Sequence, residues 1–140
     1  MAPEPRLKLR LLHGWKAVEN PQGPATYCRE ASANSGALQF SFTQYRSGAL
    51  PNAAEDQLTG ICRNLAAKMR GGKIISSRSG ACDFGIYGTV VARGDEPAYF
   101  QAWVISNRRD FVLVTHTCTV EPDPLEIQEA NEIALMTRIG

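Results

Sequence analysis

The sequence predicts an α+β domain: one antiparallel β-sheet with two packed helices. Three observations carry this. Apolar residues alternate with period two through most of the segment 25–120, in runs joined by short turns, and strands joined that way pair antiparallel. Two segments, 52–70 and 123–138, switch to helical periodicity with start signals of their own. The chain has 140 residues, 44% apolar and 21% charged, an ordinary composition for a single domain over residues 1–140. A chain of this size buries roughly 68–70% of its unfolded surface, enough to fold without a staple of disulfides or metal.

Residues 1–5 (Met-Ala-Pro-Glu-Pro) read as a loose tail. From Arg6 to Leu12 the leucines at 7, 9 and 11 share one face and the cations Arg6, Lys8 and Arg10 the other, which predicts a half-buried edge strand whose charges discourage pairing with a neighbour. Asn20-Pro21-Gln22-Gly23-Pro24 is a turn cluster. Strands are expected over 25–31 and 37–45, the second with Leu38, Phe40 and Phe42 on one face. Asn52 followed three residues later by Glu55 has capping-box spacing. Leu58, Ile61, Cys62, Leu65, Ala66 and Met69 then form one apolar stripe on a helix about 17 residues long, stopped by Gly71-Gly72 because glycine takes the left-handed conformation at little cost. Four strands follow, over 73–81, 84–92, 98–106 and 111–120. The closing helix starts at Asp123 as N-cap, with Pro124 at the first helical position and Glu126 at the third. It runs to about Arg138, with Ile127, Ala130, Ile133, Ala134 and Thr137 facing inward.

Strands, one helix, four meandering strands and one helix, closed by a strand–Asp-Pro–helix, resemble the Mog1/PsbP-like fold over residues 7–139. That superfamily includes a binder of a nuclear-transport GTPase, an extrinsic photosystem subunit and bacterial chaperones for secreted effectors. The resemblance implies a non-catalytic domain that works by contact. It lies in architecture, and no family motif transfers residue by residue.

Several chemistries are excluded or left without support. With 15 Lys plus Arg against 14 Asp plus Glu, the chain lacks the basic excess of a nucleic-acid binder. The N-terminus has no apolar signal-peptide core, and no run of ~18 apolar residues suggests a membrane span, so the expected setting is cytoplasmic. Cys28, Cys62, Cys82 and Cys118 contain no C-x-x-C pair and read as buried thiols acting as small hydrophobes. No metal ligands and no cofactor are expected. Arg70-Gly71-Gly72-Lys73 lacks the first glycine and the Ser/Thr of a phosphate loop and leaves a helix instead of entering one. Asp83-Phe84-Gly85 matches a kinase triplet in a chain too short to be a kinase.

The segment 100–118, FQAWVISNRRDFVLVTHTC, is the most strand-like and contains His116. A connection centred on Arg108-Arg109 sets Ser106 opposite Phe111, Trp103 opposite Val114, Gln101 opposite His116 and Tyr99 opposite Cys118. Both faces of this hairpin are apolar, which places it inside the sheet. With even parity in the preceding turn, Thr89 and Tyr87 join the Trp103 face, giving a polar row of Thr89, Gln101 and His116. Two readings of His116 follow: a structural hydrogen bond to Gln101, or a ligand or catalytic pocket floored by Tyr87, Thr89, Gln101, Trp103 and His116, with Gly85 and Gly88 leaving room. Catalysis lacks an acidic residue near His116 in sequence, and two residues' rise sets Cys118 about 6–7 Å away. The expected function is therefore binding another protein, in the manner of an adaptor or chaperone, with Arg108, Arg109 and Trp15 as contacts and Gln101, Trp103 and His116 as the alternative site.

Overall fold

The structure is a computed structural model that describes residues 7–8, 10–19, 23–32, 34–44, 55–107 and 110–139. Its strands are β1 (Leu7–Lys8), β2 (Trp15–Val18), β3 (Ala25–Arg29), β4 (Ala37–Gln44), β5 (Lys73–Ala81), β6 (Ile86–Arg93), β7 (Tyr99–Ser106), β8 (Asp110–Cys118) and β9 (Arg138–Ile139). The helices are α1 (Glu55–Ala66) and α2 (Pro124–Leu135). Seven strands form one antiparallel sheet in the order β2-β3-β4-β8-β7-β6-β5, and β1 pairs with β9 apart from it. The α+β class with a single main antiparallel sheet and two helices is as the sequence predicts.

The central hairpin has the predicted register, with Gln101 opposite His116, Trp103 opposite Val114 and Tyr99 opposite Cys118. Each sheet face packs a helix. On one face, Leu58, Cys62 and Ala66 of α1 are buried against Val90, Ala92, Ala102 and Val104. Full burial of Leu58 and of Val90 there contributes roughly 1.5–3 kcal/mol each. On the other, Ala130, Ile133 and Ala134 of α2 lie against Leu38, Phe40, Trp103, Ile105, Val112 and Val114.

Four expectations change. Among the described residues, the predicted strand over 6–12 contributes only β1, and the main sheet's edge is β2, where Trp15 buries its indole among the α2-side residues. The first helix is shorter than predicted: α1 ends at Ala66, though Leu65 and Met69 still pack half-buried on its cluster. Ile61, placed on the inner stripe, is 40% exposed. Gly71 stops the segment with φ +65, in the left-handed region the sequence called for. Asn52, the predicted N-cap, lies outside the described residues. The second helix ends at Leu135, before the predicted Arg138, because the chain turns to build β9. Thr137, buried as expected, donates its hydroxyl to the Ile133 carbonyl at 2.9 Å.

Candidate functional site

A buried polar cluster lies where β8 runs into α2. Asp123 caps the helix, its carboxylate accepting the Leu125 N–H at 2.9 Å, and Pro124 follows. This fixes Glu126 at the third helical position. In a capping box that side chain would reach back to the cap residue; here Glu126 turns inward and is fully buried.

One carboxylate oxygen, Oε2, gathers three partners. His116 Nε2 lies 2.7 Å away, the Gly36 N–H donates at 3.0 Å, and the Cys118 thiol approaches at 3.6 Å. Cys118 Sγ is also 3.4 Å from His116 Nε2. The other two polar atoms of the pair, His116 Nδ1 and Glu126 Oε1, are buried with no hydrogen-bond partner. Burial pushes the Glu126 carboxyl up, but the hydrogen bonds from His116, the Gly36 amide and the Ser32 side chain together outweigh it and hold the group below its ordinary range. Burial first, and the Glu126 carboxylate second, push the Cys118 thiol up to about 12.

This corrects two expectations. Gln101 faces His116 across the strands, but the imidazole's partner is Glu126. Gln101 instead accepts from the Tyr99 hydroxyl at 3.0 Å and donates to Thr89 Oγ1 at 3.0 Å, and the Thr89 hydroxyl donates to the Ala102 carbonyl at 2.8 Å. The polar row is thus two separate systems, with the Tyr99 ring edge-on to His116 at 5.6 Å. The Cys118–His116 separation is also much shorter than strand rise suggests, since the side chains converge although their Cα atoms are two residues apart.

The cluster is not a nucleophilic triad. Such a triad uses both ring nitrogens of the histidine, one toward the nucleophile and one toward the carboxylate. Here Nε2 faces both Cys118 and Glu126, and Nδ1 faces neither. All three residues are 0% exposed, and a thiol near 12 supplies little thiolate at neutral pH.

The alternative pocket is closed at Trp103 and His116, which are fully buried, while Gln101 lines an open hollow beside α2. Trp103 is fully buried beneath α2, its indole N–H donating to Asn131 Oδ1 at 2.9 Å. Gly88 lies on the opposite face, where a Cβ would stand 2.5 Å from the Thr59 nitrogen, so the space it leaves is taken by α1. At Gly85 a Cβ would stand 2.1 Å from the Ser106 carbonyl oxygen, the close approach of a tight turn. Trp15 is no exposed contact: it is 7% exposed, and its N–H reaches Glu129 at 3.1 Å, beside the Arg29–Glu129 ion pair at 2.8 Å. Arg108 and Arg109 lie outside the described residues. Cys62 and Cys118 are buried as expected, whereas Cys28 and Cys82 are only partly so.

Two open hollows flank β5. One, about 390 Å³, lies beside α2 and is lined by Ser76, Arg78, Arg93, Gln101, Asn131 and Glu132 among others. The other, about 450 Å³, lies beside α1 and is lined by Asp56, Thr59, Arg63, Ser77, Arg78 and Ser79. β5 itself is exposed along almost all its length, with Ile74 47% and Ile75 52% exposed. Sequence reading missed both Glu126 and β5 as candidates. Glu126 was accounted for as a helix-start signal. The Ile74-Ile75 pair, apolar at consecutive positions of a strand, was the available sign that one of the two must face outward.

No protein-family model and no curated protein matches the chain. Among solved structures, the chain is similar to the solution structure of cyanobacterial PsbP (CyanoP) from Synechocystis sp. PCC 6803, with a TM-score of 0.57 and 14% identity, over 96% of this chain and 92% of that one. At that identity the likeness shows the fold alone. The chain has the Mog1/PsbP-like fold that its element order resembles.

Proposed function

We propose that the protein is a non-catalytic binding domain that holds an extended segment of another protein along the outer edge of β5. The observation that carries this is β5 itself. It is a nine-residue edge strand, exposed nearly throughout, with two exposed isoleucines. A strand of that length at a sheet edge presents a row of backbone N–H and C=O groups ready for pairing. A segment added there gains main-chain hydrogen bonds for affinity and places alternate side chains on opposite faces, where pockets supply specificity. The two hollows fit that need, since Ser76 lines one, Ser77 and Ser79 line the other, and Arg78 lines both. The register shift between Ile74 and Ser76 is a bulge of the kind that limits indiscriminate edge pairing.

The test is photo-crosslinking in cells with a benzophenone amino acid at position 75, and at position 125 as the comparison, since Leu125 is also exposed at 53% on α2. A discrete adduct at 75, absent at 125 and lost on adding Ser77→Pro with the melting temperature unchanged, supports the reading. No adduct at 75, or equal adducts at both positions, defeats it. The double variant Arg108→Glu with Arg109→Glu is the third arm: loss of the adduct only there moves the contact from β5 to the β7–β8 connection.

A further inference from the structure

We propose that His116, Cys118 and Glu126 form a closed site for one divalent transition-metal ion of the zinc class. The site is independent of the β5 reading and lies at β8, the middle strand of the sheet, where it meets α2.

Three donor atoms of different chemistry converge there. Nε2, Oε2 and Sγ lie 2.7, 3.4 and 3.6 Å from one another. Atoms at such spacings can each stand about 2.0–2.3 Å from a common ion, the range of zinc bonds to nitrogen, carboxylate oxygen and sulfur. A thiolate, an imidazole and a carboxylate suit zinc better than magnesium or calcium, which prefer all-oxygen sets.

Hydrogen bonding accounts for only part of the arrangement. One proton between Nε2 and Oε2 satisfies the His116–Glu126 contact, and the two thiol contacts are long. Two buried polar atoms, Nδ1 and Oε1, are left without partners, each costing roughly 1–3 kcal/mol when desolvated. A bound ion gives Oε1 a role as the fourth donor. The charge also balances: a divalent ion with one thiolate and one carboxylate is neutral, which a dry interior tolerates far better than a lone ion. On binding, two protons leave to solvent: the Cys118 thiol proton, replaced by the metal–sulfur bond, and the proton held between Nε2 and Oε2, replaced by the metal–nitrogen and metal–oxygen bonds. The ring then carries its one proton on Nδ1.

The Gly36 backbone packs directly against the donors. A Cβ on Gly36 would stand 2.3 Å from Cys118 Sγ and 3.1 Å from His116 Nε2, so only glycine leaves the donors accessible to one another at that point. Because all three residues are sealed, the site is structural in kind: it ties β8 to the first turn of α2 and offers no position for a substrate.

The experiment uses the full chain, stripped of metal with a chelator and dialysed. Zinc is titrated against a chromophoric chelator, and cobalt(II) serves as an optical reporter. The expected result is one ion per chain, with a thiolate-to-cobalt charge-transfer absorption. Cys118→Ser abolishes that absorption and weakens zinc binding by more than the roughly 10–100-fold that loss of an outer-shell partner costs. Cys62→Ser, an equally buried thiol elsewhere, retains both. Failure of the wild type to take up one ion, or persistence of the absorption in Cys118→Ser, overturns the proposal. If Cys118→Ser does not fold, wild-type melting decides: zinc raises the melting temperature if the site exists, and an unchanged value rejects it.

Discussion

The two helices are held to the same sheet by different means, and the two fully buried cysteines mark the difference. Cys62 on α1 lies among Leu58, Ala66, Val90 and Val104, and its thiol reaches the Gly88 carbonyl at 3.4 Å, with no charged side chain beside it in that cluster. Cys118, on the face that α2 covers, lies against an imidazole and a carboxylate. Burial leads in pushing both thiols to about 12, so acidity alone does not tell them apart. Their neighbours do. The α1 side is an apolar contact that tolerates gradual change. The α2 side, with Glu126 inside and Glu129 tying Trp15 and Arg29 at its flank, depends on a few directional bonds, and one lost partner strands the others.

The sharpest way to break this contrast is to remove Glu126. Glu126→Ala leaves His116 and the Gly36 amide buried without their acceptor, and breaking a buried pair from one side costs about 3–5 kcal/mol. Urea denaturation measures it, and a loss below ~1 kcal/mol would mean that α2 is held by its apolar residues after all. On the other helix, Leu58→Ala should cost about 2–5 kcal/mol, with the sheet and α2 otherwise unchanged by circular dichroism. Two glycines sharpen the contrast further. Gly36→Ala drives a methyl against Cys118 Sγ and the Thr117 carbonyl oxygen, 2.6 Å away, and should destabilise by about 1–3 kcal/mol. Gly60→Ala, within α1 where nothing lies within 4 Å of the new Cβ, should stabilise by about 0.5–1 kcal/mol. The smallest effect is one of reactivity. In the native protein iodoacetamide should label Cys28 and Cys82, which are partly exposed, before Cys62 and Cys118; mass spectrometry reads the order.

What the sequence made legible follows the same division. Period-two alternation placed the strands from 25 onward to within a few residues, and the turn between β7 and β8 was enough to set the central register. Apolar spacing located the α1 stripe except at Ile61. The site was another matter. Nothing in the spacing of His116 and Glu126, ten residues apart across a strand–helix junction, says that the carboxylate turns inward, because a glutamate at the third position of a helix has a sufficient local reason to be there. Gln101 was the plausible partner by register, yet Tyr99 and Thr89 satisfy it from nearer positions. Trp15, expected as an exposed contact, follows Gly14 with no alternating run around it, so nothing local says that its indole is buried at the start of β2.

The most direct test of the clamp at the β8–α2 junction is native-state hydrogen exchange at the Gly36 amide. This group lies just before β4, outside the strand ladder, and its hydrogen bond goes to Glu126 Oε2. The account predicts protection close to that of the central β7 and β8 amides, collapsing in Glu126→Gln while the β6 amides beneath α1 are unaffected. Rapid exchange of Gly36 in the wild type would contradict it.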